Sequence, residues 1–261
     1  MAEYNLRIIN NYRTEDKAKP TVDHLKDVAK RRFKDAKIGF KVVSHGDMSR
    51  DLRSGGNLDN HKADGYIATG GGGHWEEEGK VLEVNHEGKQ LSHKYMKRAN
   101  GVYDRLVSDG EKIHGICEGA KAVAQALGAY SVNSGKMNVD KAQGLNHKYL
   151  IPGKHKGKLG NVTLSKEKHQ GTHYVMEFDK GNVSGTQYHP EKLDGAKDDA
   201  SIVRFLEKTT GLKASPVEES SPVESLEGKV EGSPGEPRKK LTREEILKLV
   251  SQEAYKRKKA A

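Results

Sequence analysis

Cys117 lies in the string Gly115-Ile116-Cys117-Glu118-Gly119 and is the chain's one cysteine. A G-x-C-x-G run between a strand pattern and a helix pattern is the sequence form of a nucleophile elbow, with sulfur in place of a hydroxyl. Such a turn imposes strained backbone angles on the nucleophile, and flanking glycines give the room that close packing needs. It would set the thiol at the N-terminus of a helix starting near Ala120, where the helix dipole favours the thiolate. It would also leave the backbone N–H of Glu118 to stabilise an oxyanion. The same five residues fit a buried cysteine beside a glycine turn, so the reading depends on a base.

A base stands downstream, in Gly185-Thr186-Gln187-Tyr188-His189-Pro190-Glu191 at the end of an apolar strand. His189 and Glu191 are two apart, which in extended chain sends both side chains to one face. Pro190 fixes the backbone between them. A carboxylate at one imidazole nitrogen sets the tautomer and leaves the other nitrogen to face a thiol. A third string, Asp64 to Gly71, is a short strand running into the glycines Gly70 to Gly73. In parallel α/β sheets functional groups collect beyond the carboxyl ends of the strands, and Cys117, His189 and the glycine run all fall at such ends.

Elements that would position these residues alternate between strand and helix. Strands are expected at Leu6–Ile9, Phe40–Ser44, Tyr66–Ala68 and Lys112–Ile116, and helices at Val22–Phe33, Gln90–Val107, Ala120–Leu127 and Ala200–Leu206. Tyr174–Phe178 and Val183–Tyr188 flank Asp179-Lys180-Gly181-Asn182, which has hairpin turn chemistry. That pair is expected to add an edge or extension to the sheet. The fold class read from this order is α/β, a mostly parallel central sheet with helices on both faces.

Composition narrows the function. The 261 residues carry 46 Lys+Arg against 37 Asp+Glu, a net +9, with a mean hydropathy of −0.86. The basic residues are interleaved with acids, aromatics are only 6%, and no RRM, KH or zinc-finger pattern occurs, so nucleic acid is not expected as the main partner. No apolar run is long enough to span a membrane. The start lacks a secretory h-region, so a cytoplasmic protein is expected. One cysteine excludes an internal disulfide framework, and the scattered histidines show no ligand spacing, so neither a metal site nor a cofactor is expected.

Near Leu212 the composition shifts. Residues 214–237 hold four of the seven prolines, with abundant Ser, Glu and Gly, and read as a disordered linker. Residues 238–261 read as a short basic amphipathic helix, with Thr242 and Glu245 at capping-box spacing and Ile246, Leu249 and Val250 on one side. Docking on the body, docking on a partner and a frayed tail all fit it. Residues 1–213 would form the catalytic domain.

These motifs resemble the class I (triad-type) glutamine amidotransferase domain. GICEG is similar to that family's G-x-C-x-G, GTQYHPE to its G-x-Q-[FY]-H-P-E, and DGYIATGG to its strand ending in two glycines, in matching order over about residues 4–208. The resemblance implies Cys117 as nucleophile, His189 as base and Glu191 as its orienting partner. It implies an oxyanion hole from the amides of Gly71 and Glu118, with Gly70 and Gln187 also counted as oxyanion or substrate-binding residues. The implied reaction is attack on the side-chain amide of glutamine, a glutamyl thioester, release of ammonia and hydrolysis to glutamate. The ammonia would go to a separate synthetase subunit. A γ-glutamyl hydrolase-like cysteine peptidase acting alone and a non-catalytic pseudo-amidotransferase scaffold are the alternatives. The sequence departs from the family at Lys121, where glutamine is usual, at Glu118, and at Gly72, where proline is frequent. Asn146-His147 and Gln170-Gly171-Thr172-His173 are both candidates for the family's substrate loop.

Overall fold

A computed structural model describes residues 2–12, 14–55, 57–71, 75–84, 90–98, 101–133, 149–168, 171–192 and 200–216, with 75–84 and 90–98 described by their backbone. The expected tail helix, most of the linker, Gly72 and Asn146-His147 lie outside them.

The first strand, β1 (Ala2–Asn11), lies parallel to both β2 (Ala36–Ser44) and β3 (Gly65–Gly71). Leu6 and Ile8 face one way and Ile9 the other, and all three are buried, as a parallel strand covered on both faces requires. Between β1 and β2, α1 (Lys19–Arg32) buries Val22, Leu25, Val28 and Ala29 on one stripe. Pro20 in its first turn costs no hydrogen bond, and Lys30, Arg31 and Arg32 complement the dipole in the last. Ser44 caps α2 (His45–Arg53), its hydroxyl accepting from the Gly46 amide at 3.1 Å.

The large sheet has seven strands in the order β2-β1-β3-β6-β11-β10-β9, with β6 at Ile113–Ile116, β9 at Asn161–Leu164, β10 at Val175–Lys180 and β11 at Val183–Thr186. Its core is a parallel block from β2 to β11, and the β11–β10 and β10–β9 pairs are antiparallel, so β10 alone runs against the block. α1 and α6 (Ala200–Thr210) pack with Leu6, Ile8, Ile67 and Ile116 in one core layer. On the opposite face α2, α3 (Val102–Ser108) and α4 (Glu118–Ala126) pack with Ile9, Tyr66, Ala68 and Ile113. The chain leaves β1 for β2 on one side and returns to β3 on the other. The crevice beyond the carboxyl ends of β1 and β3 is therefore a topological switch point.

Two expectations change. Gln90–Val107 is not one helix: β5 (Gln90–Arg98) is a strand paired antiparallel with β4 (Trp75–Val84), and the helix begins only at Val102, with Gly101 as its N-cap. Leu91 and Tyr95 fit a period of two as well as a helical one, and the β4 partner decides between them. With β7 (Ser131–Asn133) and β8 (Tyr149–Leu150), this hairpin forms a second, four-stranded sheet. The late hairpin is present, but β11 is interior, bonded in parallel to β6 through Gly185↔Gly115 and Thr186↔Ile116. Only β10 and β9 extend the sheet.

Candidate active site

Cys117 occupies the sharp turn from β6 into α4 with φ 54° and ψ −105°, the only non-glycine residue with positive φ among those described. A side chain held there costs on the order of 1–3 kcal/mol of backbone strain, which the surrounding packing must overcome. That packing is tight. A Cβ on Gly115 would lie 2.5 Å from the Ala120 backbone, and one on Gly119 would lie 2.2 Å from the Ala68 carbonyl oxygen. Both glycines are therefore needed so that α4 can rest directly on β6 and β3. The Cys117 amide donates to the Thr186 carbonyl at 2.8 Å, tying the elbow to the end of β11.

That same end of β11 carries the base. His189 Nδ1 lies 2.7 Å from Glu191 Oε1, and the Thr21 hydroxyl of α1 donates to the same oxygen at 3.1 Å. Glu191 sits in a short 3-10 turn begun by Pro190. With Nδ1 engaged, Nε2 is the ring nitrogen left for Cys117, with which His189 also shares a hydrogen bond. Burial works against the imidazolium, but hydrogen bonds and charge from Cys117 and Glu191 outweigh it and push His189 up to about 9. Glu191 is likewise opposed by burial, yet His189 and Thr21 hold it below the usual carboxylate range. The arrangement favours a thiolate–imidazolium–carboxylate sequence of charges.

The glycine strand closes the site from β3. A Cβ on Gly70 would fall 2.7 Å from the Tyr12 hydroxyl and 2.8 Å from His189 Cε1, so Gly70 touches the histidine directly. Gly71 abuts Asn11 instead, where a Cβ would be 2.5 Å from the Asn11 carbonyl oxygen. Asn11 is fixed by Thr69, whose carbonyl accepts from its Nδ2 at 2.7 Å, and by the Tyr103 hydroxyl, 2.7 Å from its Oδ1.

Two expected residues take unexpected surroundings. The buried Gln187 side chain is spent on backbone: its Oε1 accepts from the Ile151 amide at 3.2 Å and its Nε2 donates to the Val175 carbonyl. It joins the β11 end to the neighbouring segments. Glu118 is buried, with Lys121 Nζ 3.3 Å from its Oε2 one helical turn on. Lys121 therefore does not present an open cation to an incoming carboxylate.

Sequence reasoning missed Tyr12 and Thr21. Tyr12 follows β1 and faces the site, and its hydroxyl is driven up from its ordinary value by burial and then by the negative charges of Cys117, Glu191 and Glu118. It is a phenol that stays protonated. The available signal was topological, because the first residue past β1 at a switch point borders the crevice. No group of His, Cys, Asp or Glu among the described residues is placed to hold a metal ion. No described helix is long and apolar enough to cross a membrane.

Comparison with known proteins gives the fold a precedent. The sequence matches no protein-family profile and no curated protein. The structure is similar to the Trypanosoma brucei CTPS glutaminase domain with bound acivicin, at a TM-score of 0.50 and 11% identity over 80% of this chain and 94% of that one. A glutamine amidotransferase from Thermotoga maritima also aligns over 80% of this chain and 82% of its own, at 13% identity, but its TM-score of 0.29 falls below what shared topology requires. At such identity the first likeness speaks to the fold alone: a mostly parallel sheet with helices on both faces, shared with that domain.

Proposed function

We propose that this chain is a class I glutamine amidotransferase glutaminase in which Cys117, His189 and Glu191 carry the chemistry. The observation that supports it most is His189 bonded at 2.7 Å to a buried Glu191 and bonded as well to Cys117 on a strained elbow. The thiolate attacks the side-chain carbonyl carbon of glutamine, and the carbonyl oxygen takes the negative charge. The amides of Gly71 and Glu118 receive that oxyanion, the second from the first turn of α4, where amides have no intrahelical acceptor. His189 Nε2 gives its proton to the leaving nitrogen as the carbon–nitrogen bond breaks, releasing ammonia and leaving a γ-glutamyl thioester on Cys117. His189, now neutral, takes a proton from water, the hydroxide adds to the thioester, and Cys117 leaves as thiolate with glutamate released.

Glu191 holds the imidazole in the tautomer both half-reactions need, and it lowers the cost of the imidazolium. The ammonia acceptor is a separate synthetase subunit in this reading. The likeness to a glutaminase domain agrees with that division of labour. The test is glutamate and ammonia production by the full chain from glutamine, compared with Cys117→Ala. The reading requires turnover in the wild type and none in the variant. Equal turnover by the variant would sink it, and turnover of γ-glutamyl amides without turnover of glutamine would reassign the chain to a γ-glutamyl hydrolase.

A further inference from the structure

Glu118 is badly placed for a thiol enzyme. Its carboxylate follows the nucleophile directly, in the first turn of α4, and the Glu118 and Lys121 side chains are only 4% and 6% exposed. A buried anion there would oppose both the Cys117 thiolate and an oxyanion at the Glu118 amide, because little water is present to screen it. Its counter-charge is Lys121 Nζ at 3.3 Å, offered from the next turn of the same helix at i+3 spacing. A buried ion pair is a poor source of stability, since the desolvation of both ions offsets their attraction. Its presence beside the nucleophile calls for another role.

We propose that the buried Glu118–Lys121 pair is a charge-compensating device in which Lys121, a positioning residue acting through Glu118, cancels the opposition of the Glu118 carboxylate to the Cys117 thiolate. Each member alone would move the thiol in the opposite direction, Glu118 towards the thiol form and Lys121 towards the thiolate. Together they leave the α4 N-terminus and His189 to govern it. Among the described residues, the other ionisable groups around the elbow are His189 and Glu191 beyond β11 and Tyr12 beyond β1. The elements packed on α4 add Tyr66 from β3, His114 from β6, and Tyr103 with the exposed Asp104 and Arg105 from α3, while β5 carries His93, Lys94, Tyr95, Lys97 and Arg98. None of these changes in the variants below, so any shift belongs to the pair.

The test reads the thiolate directly. Cys117 is the one cysteine, so the rate of iodoacetamide labelling of the full chain against pH reports its ionisation alone. Lys121→Gln should raise the midpoint of that profile by about one pH unit, which cuts labelling roughly tenfold on the acid side. Glu118→Gln should lower it by a similar amount, and Glu118→Gln/Lys121→Gln should return it to near the wild-type value. Lys121→Arg keeps the charge and should keep the midpoint. A merely structural pair would slow labelling equally at every pH. Shifts of the two single variants in the same direction, or a Glu118→Gln midpoint unmoved, would overturn the proposal, and the second result stands even if Lys121→Gln does not fold. The inference rests on Cys117 as the nucleophile, but the assay needs no glutamine. Opposite shifts in a chain that hydrolyses no glutamine would refute the proposed function and keep the pair.

Discussion

Glu191→Gln removes one charge from the centre of the site and almost nothing else. The amide has the size of the carboxylate and can still accept from the Thr21 hydroxyl, which lies 3.1 Å from Glu191 Oε1. What disappears is the anion 2.7 Å from His189 Nδ1, in a pair whose side chains are 9% and 4% exposed. His189 is raised from 6.5 to about 9 against its burial, a preference for the imidazolium on the order of 3 kcal/mol. A raised folded-state value stabilises the fold fully below 6.5 and loses that contribution as pH rises through about 9. In the variant burial remains and one of the two groups opposing it is gone, so the His189 midpoint should fall clearly below the wild-type value of about 9, while Cys117, the larger support, stays in place. A proton NMR titration of the His189 ring, assigned with a His189→Gln control, reads this directly. Thermal unfolding should show the wild type losing stability between about pH 7 and pH 10, and the variant losing less in that interval. Glutamine turnover at neutral pH should fall by roughly 10² to 10⁴, the range for losing an orienting carboxylate and general-base efficiency. A His189 midpoint that does not fall in the variant, or turnover within a few-fold of wild type, would refute the charge sequence argued for the site.

Other substitutions separate the site from its scaffold. Gly119→Ala drives a methyl to 2.2 Å from the Ala68 carbonyl oxygen, so α4 must lift from β3; thermal unfolding should show a loss of about 1–3 kcal/mol, and Cys117 labelling should slow. Gly70→Ala meets only side-chain atoms, the Tyr12 hydroxyl and His189 Cε1; turnover should fall at least tenfold while the unfolding midpoint moves little, since the displaced histidine loses its alignment. Gln187→Ala deletes two buried side chain–backbone hydrogen bonds and should cost about 1–3 kcal/mol in denaturant unfolding, with the His189 midpoint unchanged.

The elbow and the His-Pro-Glu turn were legible because each is local: a few adjacent residues fix the backbone, and the chemistry follows from their order. Both arrive at neighbouring strand ends, β6 and β11, which the strand pattern alone could not make adjacent. Gln90–Arg98 was misread for a different reason. Leu91 and Tyr95 satisfy both periods, and what selects the strand is pairing with Trp75–Val84, a segment with no strong pattern of its own. A motif fixes residue type but not the direction of a side chain, and only the fold shows the two backbone partners of Gln187. Glu118 and Lys121 had helical spacing in the sequence. Only the packing of α4 on β3 and β6 shows that both charges are buried. Tyr12 and Thr21 reach the site from β1 and α1, far from Cys117 in sequence, and only the fold brings them there.

The central claim is a glutamine-binding pocket served by a reactive Cys117, and intact-protein mass tests it most directly. The full chain is exposed to a γ-electrophilic glutamine analogue, with and without excess glutamine, and generic alkylation of Cys117 is measured alongside. The account predicts one adduct, located on Cys117, that excess glutamine prevents. An adduct that glutamine does not block, or no adduct on a cysteine that a generic alkylator labels readily, would contradict it.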